Sequence, residues 1–215
     1  MRIAFVGPPG IGKGTHVKRL AKETGRPHIS TGDIFRLAIK DGCEIGQYVK
    51  TFLETGRLVP CELVIKVVME RISQDDCKGG YYLDGFPRTL HQAEFFDKSL
   101  SKVQMNLDCV LEFYAQEEEK ELIGRILGRR FCTRCPEWFH VVNKAPKEEM
   151  VCDSCSAPLY QRFDDTAETF KKRLKLYKDL SRSLLPFYEK KGILRRLNTG
   201  AGIEETYKVL LGLIG

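Results

Sequence analysis

The chain has 215 residues, 42% hydrophobic and 30% charged, which predicts one globular core with room for an inserted module and excludes a disordered chain. A net charge of +6 (35 basic, 29 acidic) suits an anionic small ligand as well as nucleic acid and does not choose between them. No apolar run nears the roughly 18 residues of a membrane helix, and the opening MRIAFVGPPG breaks before a signal-peptide core could form, so a cytoplasmic, membrane-free setting is expected.

Ile3-Ala4-Phe5-Val6 is a continuous apolar run closed by glycine, the pattern of a strand buried on both faces. A helix is predicted over 13–25, with Val17, Leu20 and Ala21 at helical spacing and Gly25 as its stop. Residues 27–30 read as extended, and Thr31 then caps a helix carrying Ile34, Phe35, Ala38 and Ile39. Pro60 suits the first turn of a helix through Leu63, Val64, Val67 and Val68. Tyr81-Tyr82-Leu83, residues 109–114, and Ile193-Leu194 with Leu197 read as further strands. Helical patterns cover 89–100, 116–127, 164–190 and 203–214, and the acidic run 117–121 reads as a solvated helix start. Strands alternating with helices predict an α/β fold with a mainly parallel sheet. Residues 128–163 break that rhythm and read as a small inserted module.

Gly7-Pro8-Pro9-Gly10-Ile11-Gly12-Lys13-Gly14-Thr15 lies between the first strand and the first helix, the context a phosphate-binding loop requires. Glycines let backbone N–H groups turn inward, and the helix N-terminus adds positive potential. Lys13 then reaches the β and γ phosphates, with Gly10, Ile11, Gly12, Gly14 and Thr15 lining the triphosphate. Gly14 stands where the general pattern has a magnesium-holding hydroxyl, which comes one residue later at Thr15. Mg²⁺ is therefore expected to be held through water and a carboxylate elsewhere.

Eight cysteines divide into four scattered ones (43, 61, 77, 109), read as packing residues, and two Cys-x-x-Cys pairs, Cys132/Cys135 and Cys152/Cys155. The pairs have the spacing of a tetrahedral Cys₄ zinc site, whose filled shell makes the metal structural. Two disulfides, four free thiols and iron are the alternatives. A nucleic-acid-binding zinc ribbon is poorly supported, because residues 132–155 carry only Arg134, Lys144 and Lys147 as cations. His140 could be a stray ligand, but the four sulfurs already complete the site; His28 and His91 read as structural.

Three more segments follow in order: Thr31-Gly32-Asp33-Ile34-Phe35-Arg36, Asp84-Gly85-Phe86-Pro87-Arg88-Thr89 with Gln92, and Arg125-Ile126-Leu127-Gly128-Arg129-Arg130. With GPPGIGKGT they closely resemble the adenylate kinases in their long-lid, zinc-containing form, from about Arg2 to the C-terminus. Asp-Gly-Phe-Pro-Arg is specific to nucleoside monophosphate kinases; the loop alone is not. The resemblance implies transfer of the γ-phosphoryl of MgATP to AMP, giving two ADP, by a monomer carrying both nucleotide sites. It implies a phosphate-loop three-layer fold on a parallel five-stranded sheet: a core of 1–29, 61–127 and 164–215, an AMP flap of 30–60 and a zinc lid of 128–163.

By motif match, Lys13, Arg88, Arg129, Arg162 and Arg173 would steer the phosphates, and Asp84, with Asp33, would orient water-bound Mg²⁺. Arg125 resembles the arginine that stacks on the ATP adenine, and Trp138 and Phe139 border its base and ribose or plug the metal module. Ala201 would offer a backbone contact to adenine. Thr31, Arg36, Arg57, Leu58, Val59, Gly85, Phe86, Pro87, Arg88 and Gln92 match the AMP side, with Arg162 and Arg173 reaching its phosphate and Gln92 reading its base. Asp164 and Asp165 would make lid contacts. The acceptor oxygen is already ionised near neutral pH, so no general base is required. Departures are His16, Arg57, Cys61, Pro136 and Asn198-Thr199-Gly200. A kinase of other nucleotide preference and a nucleotide-binding regulator without transfer are the competing readings.

Overall fold

The computed structural model describes residues 1–116 and 118–215. In chain order the elements are β1 (Arg2–Val6), α1 (Lys13–Thr24), β2 (His28–Ser30), α2 (Thr31–Lys40), α3 (Glu44–Thr55), α4 (Cys61–Ile72), β3 (Tyr81–Asp84), α5 (Leu90–Lys102), β4 (Cys109–Tyr114), α6 (Glu119–Leu127), β5 (Arg129–Cys132), β6 (Trp138–His140), β7 (Leu159–Tyr160), α7 (Ala167–Lys190), β8 (Leu194–Asn198) and α8 (Ile203–Ile214). Five strands form one parallel sheet in the order β2-β3-β1-β4-β8. The continuous apolar run of β1 has its reason here. Ile3 and Phe5 face one hydrophobic cluster and Ala4 and Val6 the other, so helices must cover both faces. The 24-residue α7 serves both clusters, giving Phe170 and Leu174 to one and Leu184 and Tyr188 to the other.

The chain runs from β1 out to the edge strand β2, returns through β3 to the near side of β1, and then crosses to β4 on its far side, so the turn after β1 opens at a topological switch point. That turn is the glycine-rich loop. Residues 129–160 hold a separate antiparallel sheet, ordered β6-β5-β7, whose small core is Cys132, Phe139, Cys152, Ala157 and Leu159. No helix among the described residues is long and apolar enough to cross a membrane.

Two predicted boundaries move by one residue. Ser30, not Thr31, caps α2: its backbone is still extended and its Oγ accepts from the Asp33 N–H at 3.2 Å. Pro60 likewise precedes α4 as its N-cap instead of sitting in the first turn. The acidic start of α6 begins at Glu119, while residue 117 lies outside the described residues. Gly46 lets α3 cross α2 closely, since a Cβ there would lie 2.0 Å from the Ala38 carbonyl oxygen.

His16 is part of the packing between α1 and α8. It is 4% exposed, stacks on Tyr207 with ring centroids 6.2 Å apart, and leaves Nδ1 without a hydrogen-bond partner. Burial, aided by Arg19, pushes its pKa down to about 4. The unfolded chain therefore takes up a proton that the native state refuses, and stability is lost as pH falls from about 6.5 toward about 4. Between pH 7 and 5 the loss from this residue is about 2 kcal/mol. The variant His16→Gln is expected to lack that component, so thermal melts at pH 7 and 5 should separate by several degrees less than in the wild type.

Candidate active site

A cavity of about 660 Å³ opens at the C-terminal ends of β1 and β3 and runs to the inserted sheet and the ends of α2 and α3. The loop after β1 forms its floor. Gly10 and Gly12 adopt left-handed backbone, at φ 82° and 97°, and a Cβ at Gly10 would meet the Leu122 carbonyl oxygen at 3.0 Å. Helix α1 opens at Gly12 with no side-chain cap, leaving its N-terminus to face the cavity. The Lys13 ammonium donates to the carbonyls of Gly7 (2.8 Å) and Pro8 (3.0 Å), folded back across its own loop. Burial pulls its pKa down to about 8, with Asp84 opposing and Arg88 and Arg129 assisting. The loop is thus a concave row of donors closed by one cation.

Asp84 ends β3 beside this loop; a Cβ on Gly14 would stand 3.6 Å from its Oδ2, an ordinary van der Waals contact that marks how near the carboxylate lies to the start of α1. His28 lies with Nε2 3.3 Å from the same Oδ2. Burial alone would raise the Asp84 pKa, but His28 and Lys13 overcome it and keep the carboxylate ionised. The structural role expected for His28 is therefore incomplete: it lines the cavity and holds a site carboxylate. The two residues are 56 apart in sequence, so no local signal joins them.

The arginines meet in a chain of shared carboxylates. Arg36 donates to Asp33 (2.8 Å) and to Asp164 (3.1 Å), Arg162 donates to Asp33, and Arg173 donates to Asp164 at 2.6 Å. Arg129 lies 4.0 Å from Asp165. Burial would raise Asp33 and Asp164, yet Arg162 and Arg36 hold the first well below the usual range, and Arg36 and Arg173 hold the second down. Asp165 goes the other way, pushed up by burial. Arg88 has protein on several sides, but its side chain is exposed to the open cavity. Its Nε donates to the Gly85 carbonyl at 2.7 Å, and burial with Arg173 nearby brings its pKa down to about 10.

Gln92 is 1% exposed and borders the cavity below Arg88. Its Oε1 accepts from the Arg88 N–H at 2.8 Å, and its Nε2 faces the Cys61 sulfur at 3.7 Å. Thr31 donates its hydroxyl to the Gly85 carbonyl at 3.2 Å. Arg57, Leu58, Val59 and Pro87 line the same end, and Arg125 and Trp138 the opposite one. Three expected contacts lie off the cavity wall. Phe86 turns into the core and packs edge-on against Phe96 at 4.9 Å. Phe139 belongs to the small core of the inserted sheet, beside Trp138, which does reach the cavity. Ala201 is replaced on the wall by its neighbours Gly200 and Gly202. Lys18, which the motif reading passed over, lines the cavity too; its spacing three residues after Thr15 on one helix face was the available signal.

The four paired cysteines converge, with all four sulfurs within 4.8 Å of one another. The contacts Cys132–Cys155 and Cys135–Cys152, at 3.4 and 3.5 Å, are too long for disulfide bonds of about 2.05 Å. They approach the edge of roughly 3.8 Å that a tetrahedron of Zn–S bonds near 2.3 Å requires. Backbone N–H groups of Arg134 and Cys135 donate to the Cys132 sulfur at 3.3 and 3.4 Å, an arrangement suited to a thiolate. This donor set fits a structural zinc ion. His140 is not part of it: its Nδ1 accepts from the N–H groups of Val142 and Asn143, at 3.1 Å each. Cys43 is exposed and does not pack.

A phosphate loop at the switch point of a parallel sheet, faced by arginines from elements on every side, defines a nucleoside monophosphate kinase. The sequence model of the adenylate kinases matches residues 5–193. Curated relatives agree along the whole chain. The adenylate kinase of Acetivibrio thermocellus is 45% identical over 214 residues, covering 100% of this chain and 98% of the relative. That of Carboxydothermus hydrogenoformans is 45% identical, covering 96% of each. That of Archaeoglobus fulgidus is 42% identical, covering 100% and 98%. The chain belongs to the adenylate kinase family.

The shared carboxylates generate a prediction. The Asp164 side chain has no exposure, and its Oδ2 accepts from both Arg36 and Arg173. Asp164→Asn removes the buried counter-charge of Arg173 and one of the two that Arg36 uses, Asp33 being the other, at a cost of about 3 kcal/mol. The melting temperature of the nucleotide-free protein should fall by several degrees, and inorganic tripolyphosphate should restore more of it than in the wild type. Equal melting of the two proteins without ligand would contradict the role given to Asp164.

Proposed function

We propose that the chain catalyses reversible transfer of the γ-phosphoryl group from MgATP to AMP, giving two ADP. The observation that carries this is a single cavity in which the phosphate loop and the Arg36–Arg88–Arg173 group face one another, with Gln92 at the far end. Two polyphosphates repel, and the reaction between them needs charge neutralisation and alignment more than acid–base chemistry. Lys13 and the N-terminus of α1 would hold the donor phosphates. Arg88, with Arg36 and Arg173, would hold the acceptor phosphate. Arg129 and Arg162 would approach the transferring group from the lid side. Guanidinium forks suit this, since each can grip two oxygens and stays charged.

Asp84, kept ionised beside His28, and the Thr15 hydroxyl are the groups that would orient the waters of the Mg²⁺ bound with ATP, which would supply charge neutralisation at the phosphates. Gln92 would read the acceptor base; its Oε1 takes the Arg88 N–H and its Nε2 meets the Cys61 sulfur, and each end keeps capacity for one further hydrogen bond. Arg125 and Trp138 would flank the donor base. We assign core, flap and lid to 1–29 with 61–127 and 164–215, to 30–60, and to 128–163. Lid closure would exclude water from the phosphoryl group. Zn²⁺ in the Cys₄ cluster would hold the lid's shape, because a core of five buried residues is too small to do so alone. A cytoplasmic monomer that contacts neither nucleic acid nor membrane fits one chain with both substrate sites.

Phosphorus NMR of the protein with MgATP and AMP, GMP, CMP or UMP in turn should show diphosphate forming with AMP alone. Transfer to none of them, from folded metal-loaded protein, would overturn the reading. Arg88→Ala should lower kcat by about a hundredfold or more with little change in melting temperature. Cys152→Ser should abolish equimolar zinc and lower the melting temperature, while AMP affinity changes little; full zinc content with unchanged melting would refute the structural site.

A further inference from the structure

Cations around the cavity are almost all matched with protein oxygens. Lys13 folds back on carbonyls, Arg36 and Arg162 share Asp33, Arg173 takes Asp164, and Arg88 takes the Gly85 carbonyl. Lys18 differs. It lines the cavity, yet among the described residues its ammonium has neither a hydrogen bond nor an ion pair. It lies over the ring of Phe131 on β5, 5.9 Å from the ring centroid, and that ring also carries the Arg162 guanidinium at 3.8 Å. The residue is partly buried and its ammonium is open to the cavity, so among the described residues no protein acceptor competes for it with an anionic ligand there.

Its place on α1 says what it faces. Lys18 stands four residues after Gly14 and three after Thr15, on the same helix face. Long helical side chains lean toward the N-terminus, so its ammonium is carried over the turn of Gly14 and Thr15, where the phosphate loop passes into the helix. Burial lowers the lysine's pKa, and the fields of Asp33 and Asp84 partly oppose that. The position is therefore electrostatically linked both to the carboxylate beside the loop and to the carboxylate shared by Arg36 and Arg162. A polyphosphate lying along the loop would pass between them.

We propose that Lys18 is a further substrate-contacting residue, whose ammonium takes an oxygen of the donor's β or γ phosphate. This deepens the kinase reading and rests on it for the identity of the donor. The binding step itself requires only a polyphosphate. No covalent bond is made or broken at Lys18; a charge-assisted hydrogen bond to phosphate takes the place of hydration.

The test uses the full-length, zinc-loaded protein with inorganic tripolyphosphate as probe, followed by calorimetry, together with steady-state kinetics. Lys18→Met keeps a stem of similar length against Phe131 and removes the charge. It should weaken tripolyphosphate binding about tenfold, raise KM for MgATP by a similar factor, and leave KM for AMP within about twofold. Lys18→Arg should restore both to within about threefold. Because the native ammonium is unpartnered, Lys18→Met should melt no lower than the wild type. Phe131→Leu separates contact with substrate from support of the lid, and should leave tripolyphosphate affinity within about twofold. Wild-type affinity and MgATP kinetics in Lys18→Met would overturn the proposal. So would a Phe131→Leu variant that reproduces the whole loss, since Lys18 would then act through the lid alone. If tripolyphosphate binding depends on Lys18 but no nucleoside monophosphate accepts a phosphoryl group, the kinase reading fails and the phosphate contact stands.

Discussion

Like charges that must be kept close are the constraint on which the site depends. The cavity collects guanidinium groups from α2, from the turn after β3, from β5, from the segment before α7 and from α7 itself. At an effective dielectric near 20, two such groups about 5 Å apart repel by roughly 3 kcal/mol. The protein answers with carboxylates that each serve two cations, Asp33 between Arg36 and Arg162, and Asp164 between Arg36 and Arg173. The alternation holds the donors in place before a ligand arrives. Less reorganisation is then left for the moment when phosphates bind and take these guanidiniums from the carboxylates.

The sheet supplies the frame for that alternation. Asp84 ends β3 and Gly85 follows it, the loop follows β1, and Phe113 on β4 stands against Gly7, so three adjacent strand ends meet at one point. Arg173 extends the frame by donating to the Leu53 carbonyl, and Thr169 donates to the Glu54 carbonyl at 3.0 Å, seating the end of α3 on the start of α7. Residues far apart in sequence are thereby fixed to within a side-chain length.

What could be read from the sequence follows from this arrangement. β1 and its loop were legible because their signals are local: an unbroken apolar run, then glycines where left-handed backbone is needed. The Cys₄ cluster was legible because ligand spacing is itself the geometry. Thr31 and Ser30 are adjacent hydroxyls, and only the point where β2 stops being extended decides which one caps. Phe86 and Phe139 carry motif membership but not direction; each has an immediate neighbour on the cavity wall, Gly85 and Trp138, while the ring itself packs inside. His28 and Lys18 escaped for a different reason. Their significance lies in which charge faces them, and those partners come from other elements.

The doubly used carboxylates also bear on how the flap and the lid side communicate. Asp33 lies in the first turn of α2, whereas Arg162 lies between β7 and α7, 129 residues away. Without nucleotide the two segments are joined through one carboxylate that Arg36 also engages. A donor phosphate that draws Arg162 toward itself weakens that join, and Asp33 is left to Arg36 and to whatever cation accompanies the phosphate. An acceptor phosphate that draws Arg36 acts on the same carboxylate from the other side, and on Asp164 as well. On the proposed roles, each ligand would change the charge environment the other meets, through hydrogen bonds already present in the free protein. The coupling requires no conformational wire, only anions that compete for shared cations.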